Sequence, residues 1–225
     1  QIPRFAPGGF QPAGQDGGGF HFYGASSRGK TTALQVVASC WGCAGDPAQA
    51  PEAAIIRRWN TTANGVGGLA AAHNDTGLYL DEIGSSTAKG FGSVVYNLAG
   101  GQGKAVLDSN RNLKEQRAWR ALILSTGEIS IRQKIEEESG HNVRAGQMIR
   151  IIDIPAGNLV ENAHGHTSEA YARELKNRCG RYFGTAGPAF VRALVNTYSD
   201  AQELSDAIRI LIGREMTILN QPASD

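Results

Sequence analysis

Short apolar runs alternate with amphipathic stretches over most of the chain. Apolar runs of strand length occupy residues 19–23, 53–58, 77–80, 121–125 and 148–154. Helical patterns lie between them, at residues 30–39, 65–72, 90–98 and 129–138. Continuous apolar runs that are separated by helices are typical of buried parallel strands with helical crossovers. The pattern therefore predicts an α/β fold, with a five-stranded parallel sheet covered by helices on both faces.

The two ends of the chain depart from this pattern. Residues 7–19 contain six glycines and two prolines. A segment of this composition buries too little apolar surface to adopt an ordered structure. After Pro155 the sequence becomes polar, and three helical patterns follow without a strand, at residues 168–179, 188–198 and 201–220. We therefore expect a flexible arm at residues 1–18, a core domain at residues 19–157 and a small helical, lid-like region at residues 158–225.

Composition and charge narrow the range of partners. Lys and Arg number 22 against 21 acidic residues, so the net charge of +1 gives no general attraction to nucleic acid, and any such contact has to be local. No apolar run approaches the ~20 residues that span a bilayer. These features favour a cytoplasmic protein that does not enter a membrane.

The cysteines allow three interpretations. Cys40 and Cys43 form a C-x-x-C pair, which is compatible with a redox site, with half of a zinc site, or with simple packing of small apolar side chains. No second cysteine pair follows. We expect no protein-bound zinc.

A glycine-rich motif joins the first predicted strand to the first predicted helix. Residues 24–31 match G-x-x-x-x-G-K-[ST], the phosphate-binding loop of P-loop NTPases. Its backbone N–H groups and the helix N-terminus would face the phosphates, the lysine would reach the outer phosphates, and the threonine hydroxyl would hold Mg²⁺. The residues that we expect around the ATP phosphates are Gly24, Ser26, Ser27, Arg28, Gly29, Lys30 and Thr31.

An acidic pair ends the third predicted strand. Asp81 would lie beside the magnesium ion, and Glu82 could orient and deprotonate the attacking water. This pairing suits hydrolysis rather than phosphoryl transfer to another substrate. The fourth predicted strand ends in Ser125 and Thr126, either of which could lie between the γ-phosphate and the water as a sensor.

Basic residues supply two further candidate sites. Arg150 precedes the last predicted strand and Arg144 lies in the loop before it, and either could act as an arginine finger or form a surface ion pair. Residues 100–114 predict a hairpin with a basic tip, which is either solvated or projects into a pore to grip a sugar-phosphate backbone. The candidate DNA contacts in that loop are Lys104, Arg111 and Lys114.

Taken together, these motifs resemble the family catalogued as domain of unknown function 927. The features that carry the resemblance are residues 19–24 with the phosphate loop, Trp59, residues 61–65, residues 73–75 before the acidic pair, the Gly103-Lys104 loop and residues 125–128. Members of that family are described as helicase-like P-loop ATPases of phages, plasmids and mobile elements, often fused to primase-like domains. The resemblance implies ATP contacts at Gly24, Gly29, Lys30, Thr31 and Thr32, magnesium at Asp81 and water activation at Glu82. The layout is also similar to superfamily 3 helicases, which usually carry an asparagine sensor where this chain has Ser125 and Thr126.

These features predict an AAA+ type P-loop ATPase that uses ATP and Mg²⁺. The first hypothesis is a homo-hexameric ring helicase that translocates on single-stranded DNA during replication of a mobile element, with a primase domain or protein as a further partner. The alternative is an ATP-switched DNA-binding loader or scaffold without unwinding activity. A P-loop kinase is disfavoured by the Asp81-Glu82 pair.

Overall fold

The secondary structure alternates strands and helices up to residue 155 and is helical afterwards. The computed structural model describes residues 17–46, 54–60, 62–103, 116–139 and 150–219. The strands are β1 (Gly18–Tyr23), β2 (Ile56–Arg58), β3 (Thr76–Asp81), β4 (Ala121–Gly127) and β5 (Ile151–Pro155). The helices are α1 (Lys30–Ser39), α2 (Ala63–Ala72), α3 (Phe91–Gly100), α4 (Ile131–Ser139), α5 (Ser168–Arg181), α6 (Ala186–Thr197) and α7 (Ala201–Leu219), and a short 3₁₀ turn spans Ile83–Ser85.

The five strands form one parallel sheet in the order β2-β3-β4-β1-β5. This arrangement confirms the predicted α/β fold with a five-stranded parallel sheet, and it is consistent with a P-loop NTPase-like fold. The neighbours of β1 in the sheet are β4 and β5, which come later in the chain. After β1 the chain crosses to β2 at one edge of the sheet, and after β4 it crosses over β1 to β5 at the other edge. In open α/β sheets, ligands bind outside the carboxyl ends of strands at such a change of direction. The loop after β1 lies at that position.

Side chains of successive strand residues point to opposite faces and build two separate cores. Leu78, Leu80 and Ile123 pack on one face against α2, α3 and α4. Tyr79 packs on the other face with Leu34 and Ala38 of α1 and with Cys179 of α5. Burial of Tyr79 raises the pKa of its phenol to about 12, and nearby Cys40 adds to the shift. The site described below forms on the α1 face.

Several predicted boundaries differ from the observed ones for local reasons. Helix α2 begins at Ala63 rather than residue 65, because the Thr62 hydroxyl accepts a hydrogen bond from Gly65 N over 3.2 Å and caps the helix. Helix α4 begins at residue 131 rather than 129, because the Asp153 carboxylate accepts from the first N–H groups of the helix. Strand β2 spans only three residues.

The described residues divide into two compact units. One contains Gly17–Thr185, and α6 and α7 belong to the other. The proposed boundary between residues 157 and 158 remains a prediction, although α5 groups with the sheet. Of the predicted arm, residues 1–16 lie outside the described residues, and Gly18 already belongs to β1. No helix among the described residues is long and apolar enough to cross a membrane.

Candidate nucleotide-binding site

The phosphate loop follows β1 in a backbone path that requires glycine at two positions. Gly24 has φ +148°, and a β-carbon there would lie 2.9 Å from the carbonyl oxygen of Ala156. Gly29 has φ +85°, in the left-handed region that side chains rarely adopt, and it caps α1. The two glycines allow the loop to turn tightly between strand and helix. Ser26, Ser27 and Arg28 lie between them, all exposed.

The N-terminus of α1 differs from those of the next four helices. Thr62 caps α2 and Thr167 caps α5, while the carboxylates of Glu138 and Asp153 accept hydrogen bonds from the first N–H groups of α3 and α4. Among the described residues, no side chain accepts from the first N–H groups of α1, and its first turn contains no acidic residue. These donors and the positive end of the helix dipole are therefore available for an anion.

Lys30 is held inside the loop that it follows. Its side chain is only 8% exposed, and Nζ donates to the carbonyl oxygens of Gly24 and Ala25 over 2.8 and 2.7 Å. The ammonium group is thereby fixed at the mouth of the loop, and no carboxylate among the described residues pairs with it. A phosphate placed there would supply the missing opposite charge. Thr32, the last of the residues expected to contact ATP, is buried on α1.

Asp81 collects hydroxyl groups from two other segments of the chain. Its Oδ1 accepts from Thr31 of α1 over 3.1 Å and from Thr126 of β4 over 2.5 Å. The carboxylate is 6% exposed, at the carboxyl end of β3. Hydroxyl and carboxylate oxygens are the ligand types that suit Mg²⁺, which is usually bound through one or two such groups and the substrate phosphates. Thr31 and Asp81 therefore fit the expected magnesium site.

Glu82 follows Asp81 in a backbone conformation that is unusual for its residue type. Its φ is +58°, and its Oε1 accepts from Gly84 N over 3.2 Å. The N–H of Glu82 makes a long 3.5 Å hydrogen bond to the Thr126 hydroxyl. Positive φ at a residue other than glycine costs of order 1–3 kcal/mol and is common at functional sites. The chain therefore turns away from β3 directly after Asp81, the candidate magnesium ligand.

The structure separates the two candidate sensors. Thr126 faces α1, where its hydroxyl meets Asp81, whereas Ser125 points to the opposite face of the sheet. There, the Ser125 hydroxyl accepts from Trp59 Nε1 over 2.8 Å and lies 2.9 Å from His21 Nδ1. Of the two hydroxyls, that of Thr126 lies beside Asp81, and that of Ser125 belongs to a buried hydrogen-bond chain.

His21 and Trp59 complete a buried hydrogen-bond chain beneath the site. His21 Nε2 lies 2.9 Å from the carbonyl oxygen of Ile129, which can only accept, so the neutral ring donates from Nε2 and accepts at Nδ1 from Ser125. Burial lowers the pKa of His21, the charge of Lys30 acts in the same direction, and Asp153 and the hydrogen bond to Ile129 oppose it. Sequence reasoning did not assign this role, although a histidine inside an apolar strand was a visible signal.

Arg150 lies at the amino end of the parallel strands, whereas the phosphate loop follows their carboxyl end. Its carbonyl oxygen accepts from Gly19 N over 2.8 Å at the beginning of β1, while Tyr23 at the end of β1 pairs with Pro155. Four strand residues separate the two levels, a distance of about 13 Å. Arg150 is exposed and precedes β5, at the opposite end of the parallel strands from Lys30 of the same chain.

The remaining basic candidates fall outside the described residues. They are Arg144, Lys104, Arg111 and Lys114. The base of the predicted hairpin is described, however, because Gln102 and Ala118 form an antiparallel bridge and Gly103 N donates to Arg117 O over 2.8 Å. Residues 102–103 and 117–118 are therefore paired with each other.

The cysteine pair contributes no metal cluster in the part of the chain that the structure describes. No three His, Cys, Asp or Glu residues there are grouped so that they could hold a metal ion. Cys40, Cys43 and Cys179 are free thiols, and burial raises the pKa of Cys179.

Comparison with known proteins places the chain in a family. The family model described as domain of unknown function (DUF927) matches residues 5–118, just over half of the chain. The chain belongs to the DUF927 family. No curated protein matches this DUF927 chain. A solved structure of the SCCmec type IV Cch active helicase is similar, with a TM-score of 0.59 and 23% identity over 80% of this chain. This DUF927 chain spans 29% of that protein, and the likeness establishes the shared fold.

Proposed function

We propose that this DUF927 chain is the ATP-hydrolysing core of a motor that translocates on single-stranded DNA. The observation that carries the proposal is the meeting of the Thr31 and Thr126 hydroxyls on one oxygen of Asp81, beside the phosphate loop. A nucleotide triphosphate is the ligand class that needs an anion-binding loop and oxygen ligands for a metal at the same place.

The chain's own residues divide the work of binding. The N–H groups of the loop and of the α1 N-terminus bind the phosphates, and Lys30 neutralises the outer ones. Thr31 and Asp81 hold Mg²⁺, which when bound withdraws charge from the β- and γ-phosphates. Because Lys30 is already oriented by Gly24 and Ala25, little rearrangement accompanies binding.

Hydrolysis then depends on Glu82 and Thr126. Glu82 accepts a proton from water as the water oxygen bonds to the γ-phosphorus, and the bond from phosphorus to the β–γ bridging oxygen breaks to release ADP and inorganic phosphate. Thr126 orients Asp81 through their direct hydrogen bond, and its hydroxyl oxygen accepts from the attacking water. To reach the water, the Glu82 side chain gives up its contact with Gly84 N.

The motor part of the proposal rests on the fold and on charge. Fold similarity to an active helicase supports a related task, and the paired base of residues 102–118 supports a hairpin whose basic tip contacts DNA through Lys104, Arg111 and Lys114. In a homo-hexameric ring, Arg150 or Arg144 of one subunit would reach the γ-phosphate bound by its neighbour. Residues 158–225 would serve as the lid over the nucleotide. We also propose that the motor works in the cytoplasm and that a primase domain or protein is its partner.

Two substitutions test the division of roles. Lys30→Ala should abolish measurable nucleotide binding, whereas Glu82→Gln should bind ATP like the wild-type chain and stop turnover. Lys89→Ala and Glu136→Gln are the matched controls, since both side chains are exposed and lie outside the site. The measurements are a nucleotide titration and phosphate release, with and without single-stranded DNA. Equal loss of binding in both site variants would contradict the assigned roles.

Unwinding of a forked DNA substrate tests the motor itself. We expect ATP-dependent strand separation by the wild-type chain and none by Glu82→Gln. Sedimentation with ATP and forked DNA should give a ring-sized species. DNA binding and assembly that depend on ATP, but without strand separation, would favour the loader or scaffold.

A further inference from the structure

The segment that follows β5 lies across the phosphate loop. Ala156 N donates to Tyr23 O over 2.7 Å, and Leu159 N donates to Arg28 O over 3.0 Å. A β-carbon at Gly29 would lie 3.2 Å from Cγ2 of Val160. The Val160 side chain therefore packs closely over Gly29, the residue that caps α1.

A cleft of about 460 Å³ opens on this segment, between residues 158–162 and helix α5. Leu159, Val160, Tyr171 and Leu175 supply its apolar side chains, and its polar side chains are Asn158, Glu161 and Asn162. The side chain of Asn158, which also lines it, is already bonded to the backbone of Val160 through both its amide nitrogen and its oxygen. An aromatic ring among apolar side chains suits a flat group, and the nearby Glu161 carboxylate disfavours a phosphate and can accept a hydrogen bond.

The order of the strands gives the direction in which a bound nucleotide has to run. Asp81 and Thr126, which would act on the terminal phosphate, end β3 and β4 on one side of β1. The cleft follows β5, on the other side of β1. With the γ-phosphate at Asp81 and the other phosphates in the loop, the rest of the nucleotide leads away from β4 and toward the cleft.

We propose that this cleft binds the base of the nucleotide, with the Tyr171 ring and the Leu159 and Val160 side chains in contact with its faces. The proposal rests on the proposed function, because it assumes phosphates in the loop. It assigns affinity for the nucleoside to residues 158–162 and α5, which include neither the phosphate loop nor the Asp81-Glu82 pair. The segment contacts Arg28 and Gly29, so base and phosphates are bound by adjoining parts of the chain.

The test compares ligands with and without a base. Leu159→Ala and Tyr171→Ala should each weaken ATP and ADP binding by about 5-fold to 100-fold, the range found when a side chain that stacks on a base is truncated. Tripolyphosphate, which has no base, should bind with unchanged affinity. Tyr171→Phe should keep ATP affinity, because the ring remains. Tyr182→Ala is the matched control, an aromatic at the end of α5 that is 67% exposed and does not line the cleft.

The outcomes separate this proposal from the one on which it rests. Failure of the wild-type chain to bind either ATP or tripolyphosphate would refute the nucleotide site itself. If the wild-type chain binds both, and Leu159→Ala and Tyr171→Ala keep full ATP affinity, the base lies elsewhere. An equal loss of ATP and tripolyphosphate in both variants, with unchanged thermal unfolding, would also overturn the proposal, since the cleft would then act only by supporting the loop.

Discussion

The hydroxyl of Thr126 donates to Oδ1 of Asp81 over 2.5 Å, from the central strand of the sheet to its neighbour. The same oxygen also accepts from Thr31, so the Asp81 carboxylate is oriented by hydroxyls on both β4 and α1. A hydrogen bond to a charged group contributes ~1.5–3 kcal/mol. The contact is therefore strong enough to affect turnover.

Thr126→Ala should lower kcat for ATP hydrolysis by about 10-fold to 100-fold, because Asp81 and the water lose their orienting hydroxyl. ATP affinity should change little, since the phosphates are bound by the loop. Thr126→Ser keeps the hydroxyl and should recover most of the rate. Steady-state kinetics with a parallel binding titration check this, and a large rise in the ATP Kd of Thr126→Ala would contradict it.

Ser125→Ala should act on stability instead. The change leaves Trp59 Nε1 and His21 Nδ1 buried without their shared partner, at a cost of ~1–3 kcal/mol in the free energy of unfolding. Ser93→Ala on α3 is the control, because Ser93 is exposed and its loss should stay within about 0.5 kcal/mol. Urea unfolding of the three proteins gives the comparison. A Ser125→Ala chain as stable as the Ser93→Ala chain would show that the buried network contributes nothing.

The depressed pKa of His21 predicts how stability depends on pH. The unfolded chain takes up a proton at His21 near pH 6.5, whereas the folded chain does so only at lower pH, because burial disfavours the imidazolium. Between these two values the unfolded state binds more protons, so stability is full above pH 6.5 and falls as the pH drops below it.

Urea midpoints at pH 7.5 and pH 5.5 measure this effect. We expect His21→Asn to be less stable than the wild-type chain at pH 7.5, yet to lose less stability between the two pH values. Since every other titrating group is common to both proteins, the difference in slope isolates His21. Identical slopes would mean that His21 titrates alike in the folded and unfolded chains.

Local pattern predicted most of the fold, because a buried parallel strand leaves a continuous apolar run and a phosphate loop leaves its glycines in the sequence. Local pattern could not predict which of Ser125 and Thr126 contacts Asp81. Which of them faces Asp81 depends on the face that each strand presents to α1, and that is fixed by partners more than 40 residues away. The position of Leu159 over Arg28 is hidden for the same reason, since residues 28 and 159 have no common local pattern.

The basic loop gives a prediction about DNA. Lys104→Ala should weaken binding to single strands of any sequence and lower the slope of log affinity against log salt by about one charge. ATPase activity without DNA should be unaffected. Lys89→Ala provides the control for the loss of one exposed lysine. An unchanged salt slope would remove Lys104 from the DNA path.

Arg150 gives a prediction about assembly. It lies at the end of the strands away from its own phosphate loop, so we expect it to contact the γ-phosphate that a neighbouring subunit binds. Arg150→Ala should bind ATP normally and hydrolyse it slowly, by a factor of about 10³ if it acts as an arginine finger. Mixing it with Lys30→Ala subunits should restore some hydrolysis, since an intact loop then meets an intact Arg150. Co-assembled mixtures that turn over no faster than their separate components would make Arg144 the better candidate.

The order of the strands also has a consequence for how the family can be dissected. The family match ends at residue 118, before β4, yet β4 lies between β3 and β1 and bonds to both. A fragment cut at that point would lack both partners of β1, because β5 also comes later, and the backbone N–H and C=O groups of Gly18–Tyr23 would be unpaired. The stretch by which relatives are matched is thus shorter than the piece that can fold. Fragments for expression should continue at least through Thr185, where the compact unit that contains the sheet and α5 ends.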